Sequence, residues 1–137
     1  MVSLAEPHYT NQGIKETRAL TVNIVDEAML AKADRTGCVS GNNTDKSTMF
    51  AYHTEGTGAS VIDEDPVVMD CTVDDIYETE GFDNFICKID GVYAEESVLN
   101  AAGKIVYHTL KPVLFEMPTY ENLRIGDVIG KCMNISK

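Results

Sequence analysis

The sequence has no tryptophan, only four prolines in 137 residues, and 11 Lys+Arg against 22 Asp+Glu. So few cations leave a formal net charge of −11 and a pI near 4.5. A surface of that sign repels phosphate backbones and anionic lipid, which argues against DNA, RNA or a membrane surface as partner. Small anionic ligands stay admissible, because a local site can oppose the global field. No apolar run approaches the roughly 20 residues that span a bilayer. The opening Met1-Val2-Ser3-Leu4-Ala5-Glu6-Pro7 lacks the basic flank and apolar core of a secretion signal, so the chain is expected in the cytoplasm.

Metal-ligand spacing is missing as well. Cys38, Cys71, Cys87 and Cys132 form no CxxC pair, and His8, His53 and His108 stand far apart. No metal site is expected, and the cysteines are read as reduced, apolar filler. The sequence holds no nucleophile elbow, P-loop or HExxH helix, so no catalytic residue can be named. The carboxylate runs Asp63-Glu64-Asp65, Asp74-Asp75 and Glu95-Glu96 are read as solvated faces and turns.

Hydrophobic residues make up 44% of the chain and charged residues 24%, which suits one folded domain over residues 1–137 and leaves no room for two cores. Thr10 is placed to cap a short helix over Asn11–Glu16. Ala19–Ile24 reads as a strand rich in branched residues. Asp26 is placed to cap a helix that Arg35 and Gly37 close. A polar loop follows over Ser40–Lys46, with Thr44 or Asp45 able to cap a short helix toward Tyr52. Glu55–Ser60 reads as a loop, since its Gly-x-Gly lacks the third glycine and preceding strand of a dinucleotide turn. From Val67 the pattern turns to β, with alternation over Val67–Tyr77, a turn at Gly81–Asn84 and a returning strand over Phe85–Tyr93. Asn100–Lys104 reads as another turn, and Val113–Phe115 and Val128–Cys132 read as short strands. Early helices and late strands point to an α+β, mainly antiparallel β, sheet or barrel.

Several local runs, in order, resemble the flavin reductase-like family with its FMN-binding split barrel. His8-Tyr9-Thr10, a helix and then Ala19-Leu20-Thr21-Val22-Asn23-Ile24 match its turn, helix and strand ending in Val-Asn. Cys38-Val39-Ser40-Gly41 followed by Asp45-Lys46 is similar to its Ser-Gly…Asp-Lys loop. Val67–Cys71, Leu110–Leu114 and Ile125–Gly130 resemble its later strands and C-terminal segment.

The resemblance implies a split barrel shortened at its N-terminus, because the family opens with further strands and Met1 falls just before the His8 turn. It also implies FMN as cofactor, and an NAD(P)H-dependent reductase-like oxidoreductase or flavin electron carrier. His8, Thr10, Ser40, Gly41 and Lys46 would lie at the phosphate and ribityl chain, while Asn84 (or its neighbour Asp83) and Tyr120 would approach the ring. Helix N-termini, hydroxyls and cations are what a phosphate needs. Sheet edges left open by the missing strands are hazards that a homodimer would cover. The alternative is a shortened, non-catalytic dimeric module without cofactor, in which Thr10 is only a cap, Lys46 a surface counter-charge and Tyr120 a core or interface aromatic.

Overall fold

The computed structural model describes residues 1–133. Its centre is a long antiparallel hairpin, strand β5 (Val67–Thr79) and strand β6 (Phe82–Ala94). Apolar residues at alternate positions set this register, since a one-residue slip would turn Cys71, Val73 and Phe85 out of the core. The turn is Glu80–Gly81, tighter than the Gly81–Asn84 expected, because Gly81 adopts φ +78° and Phe82 already pairs with Thr79. Register shifts between Asp70 and Cys71 and between Val73 and Asp75 mark bulges, which bend and twist the sheet.

Two short strands flank the hairpin. Strand β1 (Val2–Ala5) pairs with β6, and strand β2 (Ala19–Asn23) pairs with β5, giving the order β1-β6-β5-β2. Helix α1 (Tyr9–Thr17) joins β1 to β2 and packs Ile14 onto Leu20, Cys71, Val73 and Phe85, the main core. A second cluster of Val67, Val98 and Leu110 sits at the far end. It is closed by a single 3-10 turn at Glu96–Val98 and the one-turn helix α3 (Tyr107–Leu110), here numbered after α2 (Leu30–Gly37). Two hairpins complete the chain, β3 (Tyr52–Thr54) with β4 (Ser60–Ile62), and β7 (Val113–Glu116) with β8 (Glu121–Arg124). The second is tied to the body where the Val113 N–H donates to the Val25 carbonyl at 2.9 Å and Arg124 pairs with Glu27. No helix among the described residues is long and apolar enough to cross a membrane.

Several sequence expectations need correction. Helix α1 begins at Tyr9, so Thr10 lies inside its first turn and His8 is the N-cap. Helix α2 starts at Leu30, although the Asp26 carboxylate still accepts the Met29 N–H at 2.8 Å. No helix follows Asp45; its carboxylate folds onto the Ser47 N–H at 2.9 Å, and Tyr52 opens a strand instead. Val128–Cys132 forms no strand, while the mostly polar segment Glu121–Arg124 does, because β7 offers it a partner. Cys71 is buried as filler, but Cys38 and Cys132 are exposed. Asp65 is no solvated carboxylate. It is 7% exposed and accepts the Val67 N–H at 2.9 Å.

A polar pocket at the start of helix α1

Pro7 cannot continue a helix backwards, and His8 holds an extended conformation (φ −74°, ψ 134°), so α1 starts sharply at Tyr9. The His8 side chain makes no capping bond, and the first turn carries no acidic residue. The Tyr9 and Thr10 N–H groups have no carbonyl one turn back to receive them, which leaves the positive end of the helix open.

The Ser40–Ser47 segment folds over that end. The Ser40 carbonyl accepts the N–H groups of Asn43 (3.1 Å) and Thr44 (3.0 Å), and its Oγ accepts the Asn42 N–H at 3.2 Å. Asn42 then reaches across, its amide donating to the Pro7 carbonyl at 2.8 Å. Gly41 lies directly on Tyr9, where an added Cβ would stand 2.9 Å from the Tyr9 Cβ. Only a residue without a side chain lets the loop approach this closely. Lys46 is partly buried and donates from Nζ to the Thr36 carbonyl at 2.8 Å, tying the loop to the end of α2 and leaving two of its N–H groups for other partners. Bonds from Ser47 hold the Asp45 carboxyl below the usual carboxylate range, so it stays ionised beside Lys46.

Between these segments lies a pocket of about 520 Å³, lined by Tyr9, Thr10, Gly41, Asn42, Asp45 and Lys46 among others. That volume falls within the usual range for small-molecule sites. The structure therefore brings together Thr10, Gly41 and Lys46, while His8 and Ser40, next to Tyr9 and Gly41 in the chain, do not line the pocket. Asn42 is the residue that sequence reasoning passed over. Its partner is 35 positions away, and no local pattern announces it.

Other expected residues lie elsewhere. Asn84 spends its amide inside the hairpin, donating to the Tyr77 carbonyl (2.9 Å) and the Thr79 hydroxyl (3.2 Å). Asp83 is fully buried, with the Lys15 ammonium 2.7 Å from its Oδ2. That hydrogen bond holds the Asp83 carboxyl below its ordinary range. Tyr120 sits at the β7–β8 turn, 76% exposed, edge-on to Phe115 at 6.2 Å. Neither Asn84 nor Tyr120 lines this pocket. His53 stands on β3 between Asp63 (2.6 Å) and Glu55 (3.6 Å), and the Asp63 carboxylate raises its pKa. Among the described residues no three His, Cys, Asp or Glu side chains are grouped to hold a metal ion.

The family model for the flavin reductase like domain matches residues 1–122. The chain belongs to the flavin reductase-like family. Its structure is similar to the flavoredoxin of Methanosarcina acetivorans, with 31% identity and a TM-score of 0.94, over 99% of this chain and 73% of that one. It is also similar to the flavoredoxin of Desulfovibrio vulgaris (Miyazaki F), with 27% identity and a TM-score of 0.87, over 98% of this chain and 73% of that one. Nitrilotriacetate monooxygenase component B from Bacillus cereus shares the fold at 19% identity and a TM-score of 0.79, over 95% of this chain and 70% of that one. A sequence search of the curated proteins gives no match. The four-stranded antiparallel sheet is thus the sheet of an FMN-binding split barrel.

Proposed function

We propose that the chain binds FMN in the pocket at the start of α1 and works in the cytoplasm as an NAD(P)H-dependent, flavin reductase-like oxidoreductase or a flavin electron carrier. The observation that carries this reading is the convergence of Thr10, Gly41 and Lys46, from two separate segments, on an uncapped helix start. The donor set suits a phosphate. It comprises the Tyr9 and Thr10 N–H groups, the Thr10 hydroxyl and the remaining N–H groups of Lys46. Gly41 and Ser40 hold the loop close, and Asn42 fixes it to Pro7. When bound, the flavin supplies the hydride or electron chemistry.

Asn84 and Tyr120 lie outside this pocket, so in this reading they meet the flavin from a second protomer. A homodimer is therefore part of the proposal. It is supported by the apolar side chains that the β7–β8 hairpin leaves exposed, among them Leu114, Phe115, Met117 and Leu123.

A second reading, a dimeric split-barrel module without cofactor, is favoured by one feature. Asp45 shares the pocket as an anion while Lys46 is already engaged with Thr36. Parallel titrations with FMN and riboflavin separate the two. Tighter binding of FMN by tenfold or more, with NAD(P)H consumption by the loaded protein, supports the first reading. Equal binding of the two flavins refutes the phosphate site, and absence of binding by either leaves the module.

A further inference from the structure

Arginines are few in this chain, and two of them are engaged. Arg18 donates to the Asp74 carbonyl at 3.3 Å, and Arg124 pairs with Glu27. Arg35, exposed in the last turn of α2, has no ion pair or hydrogen bond among the described residues. A cation at that place usually offsets the negative end of the helix. At α2 this end is served without it. The Lys46 ammonium takes the Thr36 carbonyl at 2.8 Å, and the Cys38 N–H donates to the Asp34 carbonyl at 3.1 Å.

Arg35 instead borders a cavity of about 350 Å³, together with Lys32, Thr36, Thr48 and Met49. Both charged residues of this lining are cations, in a chain with 22 acidic against 11 basic side chains. Lys32 stands 4.6 Å above the Phe50 ring and pairs with Glu64, which holds its ammonium in place. The Thr36 hydroxyl is spent on the Lys32 carbonyl at 2.9 Å, whereas the Thr48 hydroxyl has no partner among the described residues. The cavity adjoins the pocket at the start of α1. Thr36 borders the one and Lys46 the other, and their 2.8 Å bond joins the two.

We propose that this cavity holds the 2′-phosphate of a nicotinamide dinucleotide, with Arg35 as the residue that selects NADPH over NADH. The assignment to an electron donor rests on the flavin reading above. A phosphate monoester carries about two negative charges at neutral pH. It suits a guanidinium fork beside an ammonium and a free hydroxyl, the donors that line this cavity. A nearby arginine is a general means of accommodating the 2′-phosphate of such dinucleotides. Met49 supplies an apolar side chain for the adenylate that carries the phosphate. The adenylate half of FAD fits less well. Its second phosphate follows the first directly, so it stays in the α1 pocket with the ionised Asp45. A donor with its nicotinamide on the flavin ring is a separate molecule, free to lay its adenylate end across the Lys46–Thr36 contact.

Calorimetry with 2′,5′-ADP and 5′-AMP reads the cavity without flavin, and steady-state rates of the FMN-loaded chain read the donor. 2′,5′-ADP should bind about tenfold or more tighter than 5′-AMP, and the KM for NADPH should lie below that for NADH by a similar factor. Arg35→Gln should erase both preferences, and Arg35→Lys should restore part of each. Equal binding of the two nucleotides overturns the proposal, as does a preference that survives in Arg35→Gln. FAD binding tighter than FMN, with the gain lost in Arg35→Gln, overturns it in favour of the flavin's own adenylate. The two readings fail separately. FMN binding without the 2′,5′-ADP preference refutes the subsite alone, whereas that preference in a chain that binds no FMN supports the subsite and refutes the flavin reading.

Discussion

Lys46→Ala separates two roles that one ammonium group performs. The Nζ–Thr36 carbonyl bond at 2.8 Å is structural, and its loss should cost about 1 kcal/mol, a few degrees in Tm. Lys46 also lines the pocket shared with Thr10 and Gly41, and in the proposed function its remaining N–H groups serve the phosphate there. A hydrogen bond from such a cation to phosphate contributes about 1.5–3 kcal/mol, so FMN should bind about 10- to 150-fold more weakly. Riboflavin lacks the phosphate and should lose little. Because Lys46 is only partly buried, raising salt from about 0.1 to 1 M, which shortens the Debye length from ~10 to ~3 Å, should weaken FMN binding in the parent and much less in the variant. Fluorescence titration of both flavins at two salt concentrations, beside a thermal melt, reads all these quantities. If FMN and riboflavin weakened together, or FMN not at all while Tm fell, Lys46 would be a loop tether only, and the phosphate assignment would fail.

Gly41→Ala puts a methyl 2.9 Å from the Tyr9 Cβ, so the loop must lift; FMN affinity should drop about tenfold or more, whereas Gly37→Ala, with nothing within 4 Å, should leave it unchanged. Burial, with the nearby Asp26 carboxylate, pushes Asp65 up to about 6 from 3.8. A raised folded pKa means that its stabilising effect is complete below pH ~4 and fades as pH rises through ~6. Asp65→Asn should therefore flatten the pH 4–6 slope in urea unfolding and raise stability at pH 7 by about 2–3 kcal/mol, and an unchanged slope would refute the burial argument. Asp83 runs the other way. The Lys15 hydrogen bond lowers its folded pKa, so its contribution is present above pH ~4 and is lost as pH falls through the folded value; Lys15→Met should start acid unfolding at higher pH. Phe85, with 0% exposure, is the centre of the main core, and Phe85→Ala should cost about 3–5 kcal/mol in urea unfolding.

Much of the fold was legible because it obeys a short period. Alternation over Val67–Tyr77 and Phe85–Tyr93 marked the hairpin, and the branched run at Ala19–Ile24 marked β2. The errors fell where partners decide. Val128–Cys132 has the composition of a strand but no neighbour to pair with, while Glu121–Arg124 has four polar or long side chains and pairs with β7. Thr10 fits a capping preference, yet Pro7 and the extended His8 set the helix start two residues earlier. The ordered series of short motifs did carry the family.

The sequence by itself determined the family, the central hairpin and the acidic field, because composition and period-two alternation are local properties of the chain. Only the tertiary structure decided the rest. It brought Asn42 to Pro7, set Gly41 against Tyr9 and sealed Asp83 beneath Lys15. These depend on which groups meet across dozens of residues, and hydrogen bonding and burial act on proximity in space rather than along the chain.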